Sequence, residues 1–232
     1  MVAKHKRAIH VAGLVDFDEA KLLIDCGVKF LGLPFALDHH KEDLTVDAAA
    51  AIVSKVAKQA NFFLITYLTK AQDIRRLCDV LSVQMVQLHG PTDPNQIQLV
   101  KQEAPELKVI KSLIVRYDNA DPLLDDVQCF GSSVDAFITD TFDPETGASG
   151  ATGKVHDWTT SRRLVESTDR PVILAGGPNA TNVRQAIYTV QPAGVDVHTG
   201  IEGQDGRKSP DLTKRFVEEA EAGFADIGPK PG

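Results

Sequence analysis

The stretch VILAGGPNATNVRQAIYTVQPAGVDVH, residues 172–198, contains the unit that decides the fold. It begins with a short apolar run, VILAG, passes through two glycines into the helical pattern TNVRQAIYTV, and ends in a second apolar run, GVDVH. Both apolar runs are too short for a helix and apolar enough for a strand that is buried on both faces. A strand, a helix and a second strand in this order predict a parallel βαβ unit.

The same alternation extends over the rest of the chain. Six more strand candidates precede this unit: AIHVA (8–12), FLGLP (30–34), FFLIT (62–66), MVQLH (85–89), KVIKSL (108–113) and AFITD (136–140). Helical patterns follow them, of which DPLLDDVQCFG (121–131) is the weakest. Eight strand–helix units predict a single (β/α)8 TIM barrel over residues 1–225, a fold that typically takes ~250 residues. The tail, 226–232, is predicted to be disordered. A doubly wound open sheet is the alternative, because alternation alone does not prove closure.

Composition limits the classes of partner. The chain has 232 residues, 43% hydrophobic and 25% charged, with a formal net charge of −7. This balance argues against a general nucleic-acid binder, and no stretch approaches the ~20 apolar residues of a membrane span. Cys26, Cys78 and Cys129 show no CxxC spacing, so we expect buried, reduced thiols in a cytoplasmic protein. No cofactor is predicted, and the oligomeric state is left open between monomer and homodimer.

Two glycine-containing turns follow strands seven and eight, and they look suited to phosphate. In a barrel the chemistry lies where strands end, and phosphate commonly binds at the loops after the last two strands. Glycine allows close approach of the backbone, and a helix N-terminus adds partial positive charge. We therefore predict phosphate contacts from Gly176, Gly177, Thr199 and Gly200, with Lys208 as an additional charge.

Four motifs resemble the phosphoribosylanthranilate isomerase family of tryptophan biosynthesis. They are VQLHG (86–90), GATGKVHDW (150–158), VILAGGPNATNV (172–183) and GVDVHTGIEG (194–203), and HVAGL (10–14) aligns with the family's first-strand motif. The resemblance spans residues 8–220 or so and implies a small phosphorylated substrate. It also implies an Amadori rearrangement, in which an aspartate at the end of strand six opens the sugar ring. Asp140 matches that general acid, and Gln87, His89 and Gly153 lie in the motifs as expected substrate contacts.

The chain departs from the family pattern at three places. The family's general base is a cysteine at the end of strand one, where this chain has Ala12, and a methyl group cannot take a proton. The family's Ser-Pro-Arg loop after strand two is replaced by ALDHHKEDL (36–44). The third departure is TFDPETGAS (141–149), which adds length after strand six and can re-shape the site.

Histidines are the candidate replacements for the missing groups, since an unperturbed imidazole accepts a proton near neutral pH. We predict catalytic roles for His10 and His39, and substrate contacts for His40 and His198. The alternatives are a core position for His10 and ordinary loop polarity for His39 and His40.

Three functions remain open at this point. The first is an isomerase acting on a phosphoribosylamine or related phosphosugar. The second is a diverged lyase, hydrolase or epimerase on another phosphorylated substrate. In one version of it, a metal is held by some of six residues, namely His10, His39, His40, His89, His198 and Asp140. No local metal motif such as HExxH occurs, and we predict no metal site. The third is a barrel that binds a phosphorylated metabolite without converting it.

Overall fold

The structure, a computed structural model, describes residues 7–37, 44–142 and 155–228. Eight parallel strands form a closed barrel in chain order. The strands are β1 (Ala8–Val11), β2 (Phe30–Phe35), β3 (Asn61–Thr66), β4 (Met85–Leu88), β5 (Lys108–Val115), β6 (Ala136–Thr141), β7 (Val172–Leu174) and β8 (Gly194–Val197). The pairing of β1 with β8, from Ala8 opposite Gly194 to Val11 opposite Val197, closes the ring. The predicted TIM barrel is therefore confirmed, and the open-sheet alternative is wrong.

A helix follows every strand. The helices are α1 (Phe17–Asp25), α2 (Val46–Val56), α3 (Ala71–Leu81), α4 (Pro94–Glu103), α5 (Ala120–Phe130), α6 (Trp158–Glu166), α7 (Val183–Val190) and α8 (Pro210–Asp226). Several begin at a polar side chain that accepts a hydrogen bond from the first turn, as Asp16, Thr45 and Ser209 do. The weakest prediction, the helix after β5, is confirmed as α5.

Strand alternation separates the barrel interior from the layer between sheet and helices. Along β8, Val195 and Val197 pack in the main core towards the helices, whereas Asp196 points the other way, into the barrel. A small apolar cluster fills the interior, formed by Ile110, Ala136, Ile138, Ile173 and Ala175 with Met85 against it. Polar side chains lie on the inner face of the same strands, towards their carboxyl ends, and form the floor of the candidate site.

The cysteines and the C-terminal segment differ in part from expectation. Cys26, Cys78 and Cys129 are all free thiols, but only Cys78 is buried, so the prediction of a buried thiol is wrong for the exposed Cys129. Cys129 lies in α5 on the solvent side, where a small side chain is not drawn into the core. Helix α8 runs to Asp226, and most of the predicted disordered tail, residues 229–232, lies outside the described residues. No helix within the described ranges is long and apolar enough to cross a membrane.

Candidate active site at the carboxyl end of the barrel

Two acidic side chains interact near the barrel mouth: Asp140 at the end of β6, and Asp196 one layer deeper on β8. Asp140, near the end of β6, is half-buried, and its Oδ1 accepts a hydrogen bond of 2.8 Å from the backbone N–H of Thr141. Burial raises the pKa of Asp140, and His89 opposes part of that shift. Burial and the nearby Asp140 together raise the pKa of Asp196 to about 8, against an opposing effect of Lys208. Two negative charges this close would repel each other, so the two carboxyl groups do not both ionise. The pair therefore retains a proton near neutral pH.

Gln87 and His89, both predicted to contact substrate, lie together on the side of the barrel mouth that also carries Asp140. Gln87 Nε2 donates to Ser112 Oγ at 3.1 Å, and His89 Nδ1 lies 3.0 Å from the same oxygen. The ring of Tyr67 packs against the His89 imidazole edge-on, with centroids 4.9 Å apart. This cluster holds the His89 ring in place at the mouth, where His89 lowers the pKa of Asp140.

The turns after β7 and β8 pack closely against one another and against β6. Gly176 and Gly177 have φ of 79° and 96°, which glycine adopts without strain. A Cβ on Gly176 would lie 2.2 Å from Thr141 Oγ1, and one on Gly200 would lie 2.3 Å from the carbonyl oxygen of Pro178. Within the described part of the chain, the N–H groups of Gly176 and Gly177 donate no hydrogen bond to another residue. These amides are therefore available to an anion.

Thr199 and Gly200 belong to a short 3-10 helix, Thr199–Ile201, that begins directly after His198. On the β7 side, Asn182 stabilises the neighbouring turn, because its Oδ1 accepts from the N–H of Asn179 at 2.8 Å and its Nδ2 donates to Gly177 O at 3.1 Å. The four predicted phosphate contacts thus lie on two adjoining turns with a fixed backbone.

Lys208 has a different environment from the one expected. Its side chain is buried, and Nζ donates to Glu202 Oε1 at 2.6 Å, so its charge is paired within the loop after β8. The backbone N–H of Lys208 donates to Glu19 Oε1 at 3.0 Å, while Glu19 Oε2 accepts from the N–H of Val15 at 3.1 Å. Glu19 therefore joins the loop after β1 to the loop after β8.

His10 lies inside the barrel and away from the mouth. Its ring packs between Phe30 and Phe63, with both centroids 4.9 Å away, and the residue is 2% exposed. Burial lowers the pKa of His10 to about 3. The structure places this residue in the core, the alternative that the sequence left open.

His156 is a residue that sequence reasoning missed. Its Nδ1 lies 2.8 Å from Thr141 Oγ1 and its Nε2 lies 2.6 Å from Ser161 Oγ, so the ring joins the end of β6 to α6. Burial lowers the pKa of His156 to about 4, which keeps the ring neutral. The residue stands in the motif GATGKVHDW, but nothing in the letters indicates the two hydroxyl partners.

Several predictions lie beyond what the structure describes. His39, His40 and Gly153 fall outside the described residues. In the ranges that are described, no three His, Cys, Asp or Glu side chains are grouped to hold a metal ion.

The comparisons with known proteins agree on one family. The sequence model of N-(5′-phosphoribosyl)anthranilate (PRA) isomerase matches residues 9–219. The protein N-(5′-phosphoribosyl)anthranilate isomerase 2 of Methanosarcina mazei is 34% identical over 220 residues, covering 94% of this chain and 96% of that one. The solved structure of the Pyrococcus furiosus isomerase aligns with a TM-score of 0.76 at 24% identity, over 93% of this chain and 98% of that one.

A further isomerase structure carries a ligand. It was solved in complex with reduced 1-(o-carboxyphenylamino)-1-deoxyribulose 5-phosphate, and it aligns with a TM-score of 0.76 at 21% identity, over 93% of this chain and 98% of that one. At this identity the structural likeness supports the fold, while the family match and the Methanosarcina relative carry the assignment. The chain belongs to the N-(5′-phosphoribosyl)anthranilate isomerase family.

Proposed function

We propose that this protein isomerises N-(5′-phosphoribosyl)anthranilate, or a closely related phosphoribosylamine, in tryptophan biosynthesis. The reaction is an Amadori rearrangement, which converts an aminoaldose into an aminoketose. The observation that carries the proposal is the contact between the glycine turn after β7 and the end of β6. Gly176 packs against Thr141, the residue next to Asp140, so the turn adjoins the strand end that carries this carboxyl group.

In the first step Asp140 is the general acid. The carboxyl group donates its proton to the ring oxygen, the C1′–O bond breaks, and the nitrogen lone pair forms the C1′=N bond of the open iminium. The raised pKa of Asp140 supports this role, because the group then holds a proton at a pH where an ordinary aspartate has lost it.

Phosphate binding is assigned to Gly176, Gly177, Thr199 and Gly200. The positive φ of the two consecutive glycines supports this role, as do their N–H groups, which donate to none of the described residues. Lys208 is left out of the contact set, since its charge is paired with Glu202. Gln87, His89 and His198 complete the polar surface towards the rest of the substrate. We expect no cofactor, a cytoplasmic location, and a monomer or homodimer in solution.

One observation favours a second candidate, a barrel that binds a phosphorylated metabolite without converting it. Ala12 stands at the end of β1, and its methyl group can neither give nor take a proton. In this second case the turns after β7 and β8 would still bind the phosphorylated metabolite, but Asp140 would not act as a general acid.

Turnover of N-(5′-phosphoribosyl)anthranilate by the wild type and by Asp140→Asn separates the candidates. We expect conversion by the wild type and a fall in kcat of about 10²–10⁴-fold in Asp140→Asn, the usual contribution of a positioned acid. The matched control is Asp73→Asn, an exposed aspartate in α3, which should leave kcat unchanged. A wild type that binds the reduced product analogue but converts no substrate above the buffer rate would establish the binding barrel instead.

A further inference from the structure

Ala12 and His198 are neighbours on the inner face of the barrel. The pairing of β1 with β8 runs from Ala8 opposite Gly194 to Val11 opposite Val197. It continues by one residue, since the N–H of Ala12 donates to Val197 O at 3.0 Å, and this places Ala12 beside His198. His10 and Asp196, two residues back on each strand, both point into the barrel, so Ala12 and His198 have the same orientation.

The His198 side chain crosses from β8 to the end of β1. A Cβ built on Gly13 would lie 2.1 Å from His198 Nε2 and 2.6 Å from Cδ2. Gly13 has φ of 78° and no side chain, so the imidazole lies directly over the backbone that follows Ala12. The Nε2 atom therefore lies over Gly13, the residue that directly follows Ala12.

The loop after β8 provides the electrostatic support that a base needs. Glu202 Oε1 lies 3.5 Å from His198 Nε2, and the same oxygen accepts from Lys208 Nζ at 2.6 Å. A carboxylate at this distance stabilises an imidazolium once it forms. Glu19 connects the loop after β1 with the loop after β8 through the N–H groups of Val15 and Lys208.

An aldose-to-ketose isomerisation requires a group that takes the proton from C2′. We propose that His198 is this general base, with its Nε2 removing the C2′ proton beside Ala12. As the proton leaves, the C2′–H electron pair becomes the C1′=C2′ bond, and the C1′=N π pair moves onto nitrogen. The products are a neutral enolamine and an imidazolium, and the enolamine then gains a proton at C1′ and loses the one on O2′ to give the ketose.

The other titratable groups described at the mouth are less suited to this step. His89 lies on the opposite side of the barrel with its Nδ1 at Ser112, and Lys208 is a cation paired with Glu202. Asp196 lies one layer deeper than His198, is 7% exposed and holds its proton at neutral pH. His198, with 30% of its side chain exposed, is open to a ligand at the mouth.

The assignment rests on the proposed isomerase function, and three proteins test it: the wild type, His198→Gln, and His198→Gln combined with Ala12→Cys. With N-(5′-phosphoribosyl)anthranilate as substrate, His198→Gln should lose about 10²–10⁴-fold in kcat. Its Kd for reduced 1-(o-carboxyphenylamino)-1-deoxyribulose 5-phosphate should stay within about threefold of wild type, because glutamine keeps the size and polarity.

The added cysteine places a thiol on the neighbouring inward position and should recover roughly tenfold or more of the lost kcat. Iodoacetamide should abolish this recovered activity. It should spare the wild type, whose exposed Cys129 lies in α5 on the barrel's outer layer. Loss of kcat in His198→Gln with intact analogue binding supports the base with or without this rescue.

Two results would overturn the assignment of His198 as the base and leave the proposed isomerase function intact. One is an active wild type with a His198→Gln variant of equal kcat, and the other is a loss of kcat that follows a matching loss of analogue binding. A wild type without any turnover would overturn the proposed function, and the base with it.

Discussion

His10 Nδ1 and Asp196 Oδ1 belong to residues that face each other across β1 and β8, and neither atom has a hydrogen-bond partner among the described residues. Both side chains are almost completely buried, at 2% and 7% exposed. Burial lowers the pKa of the imidazole to about 3 and raises that of the carboxyl to about 8, so both groups are neutral between these values. The pair forms an uncharged polar layer beneath the mouth, and its two members respond to pH in opposite directions.

We expect His10→Leu to reduce the acid sensitivity of the fold. In the folded chain His10 stays neutral down to about pH 3, whereas in the unfolded chain it binds a proton below about pH 6.5. Stability is therefore fully present above pH 6.5 and declines as the pH falls towards 3. Between pH 7.5 and 5 this contribution amounts to roughly 2 kcal/mol, at about 1.4 kcal/mol per pH unit.

Urea unfolding of both proteins at the two pH values measures this difference. Leucine fits the apolar space between Phe30 and Phe63 and removes a buried ring nitrogen that bonds to none of the described residues, so the variant should fold at neutral pH. If the wild type and the variant lose equal stability on acidification, His10 is not a buried neutral group.

Asp196→Asn should show the opposite pH trend. The folded carboxyl keeps its proton up to about pH 8, while the unfolded one loses it above about pH 3.8. The wild type therefore loses stability as the pH rises through this window, by at most about 1.4 kcal/mol per unit, and asparagine cannot titrate. The free energy of unfolding of the variant, relative to that of the wild type, should therefore increase from pH 5 to pH 8. A constant difference across that range would show that Asp196 is ionised in the fold.

The fold was predictable because a short apolar run in the sequence indicates each strand. Runs such as FFLIT and AFITD are buried on both faces, so their boundaries agree with β3 and β6 to within a residue. The glycines were predictable for a related reason, since the close approach of Gly176 to Thr141 and of Gly200 to Pro178 tolerates no side chain. Such local requirements leave a direct signature in the sequence.

The polar contacts of the site were not predictable, because they depend on how the loops fold and on how neighbouring strands align. The pairing of Lys208 with Glu202 turns an apparent phosphate ligand into a buried ion pair. The position of His198 over Gly13 depends on the register between β1 and β8, which no pattern within either strand encodes. His156 between two hydroxyls is a third case. Only the folded chain brings these partners together.

Gly176→Ala should impair both phosphate binding and the end of β6. A methyl group at this residue would lie 2.2 Å from Thr141 Oγ1 and 2.9 Å from the backbone N of Thr141. Since that N–H also donates to Asp140 Oδ1, any shift there moves the proposed acid. We expect at least about a tenfold rise in the Kd for the reduced product analogue and a loss of more than about 2 kcal/mol in stability.

Gly206→Ala is the matched control for this substitution. Gly206 also has a positive φ, 76°, but a Cβ there would meet nothing within 4 Å, so the control isolates backbone strain from crowding. It should cost about 1 kcal/mol of stability and leave analogue binding unchanged. Isothermal titration calorimetry and urea unfolding measure both effects. If the two variants have equal Kd values for the analogue, crowding at Gly176 has no effect on binding. The turn after β7 would then not hold the phosphate.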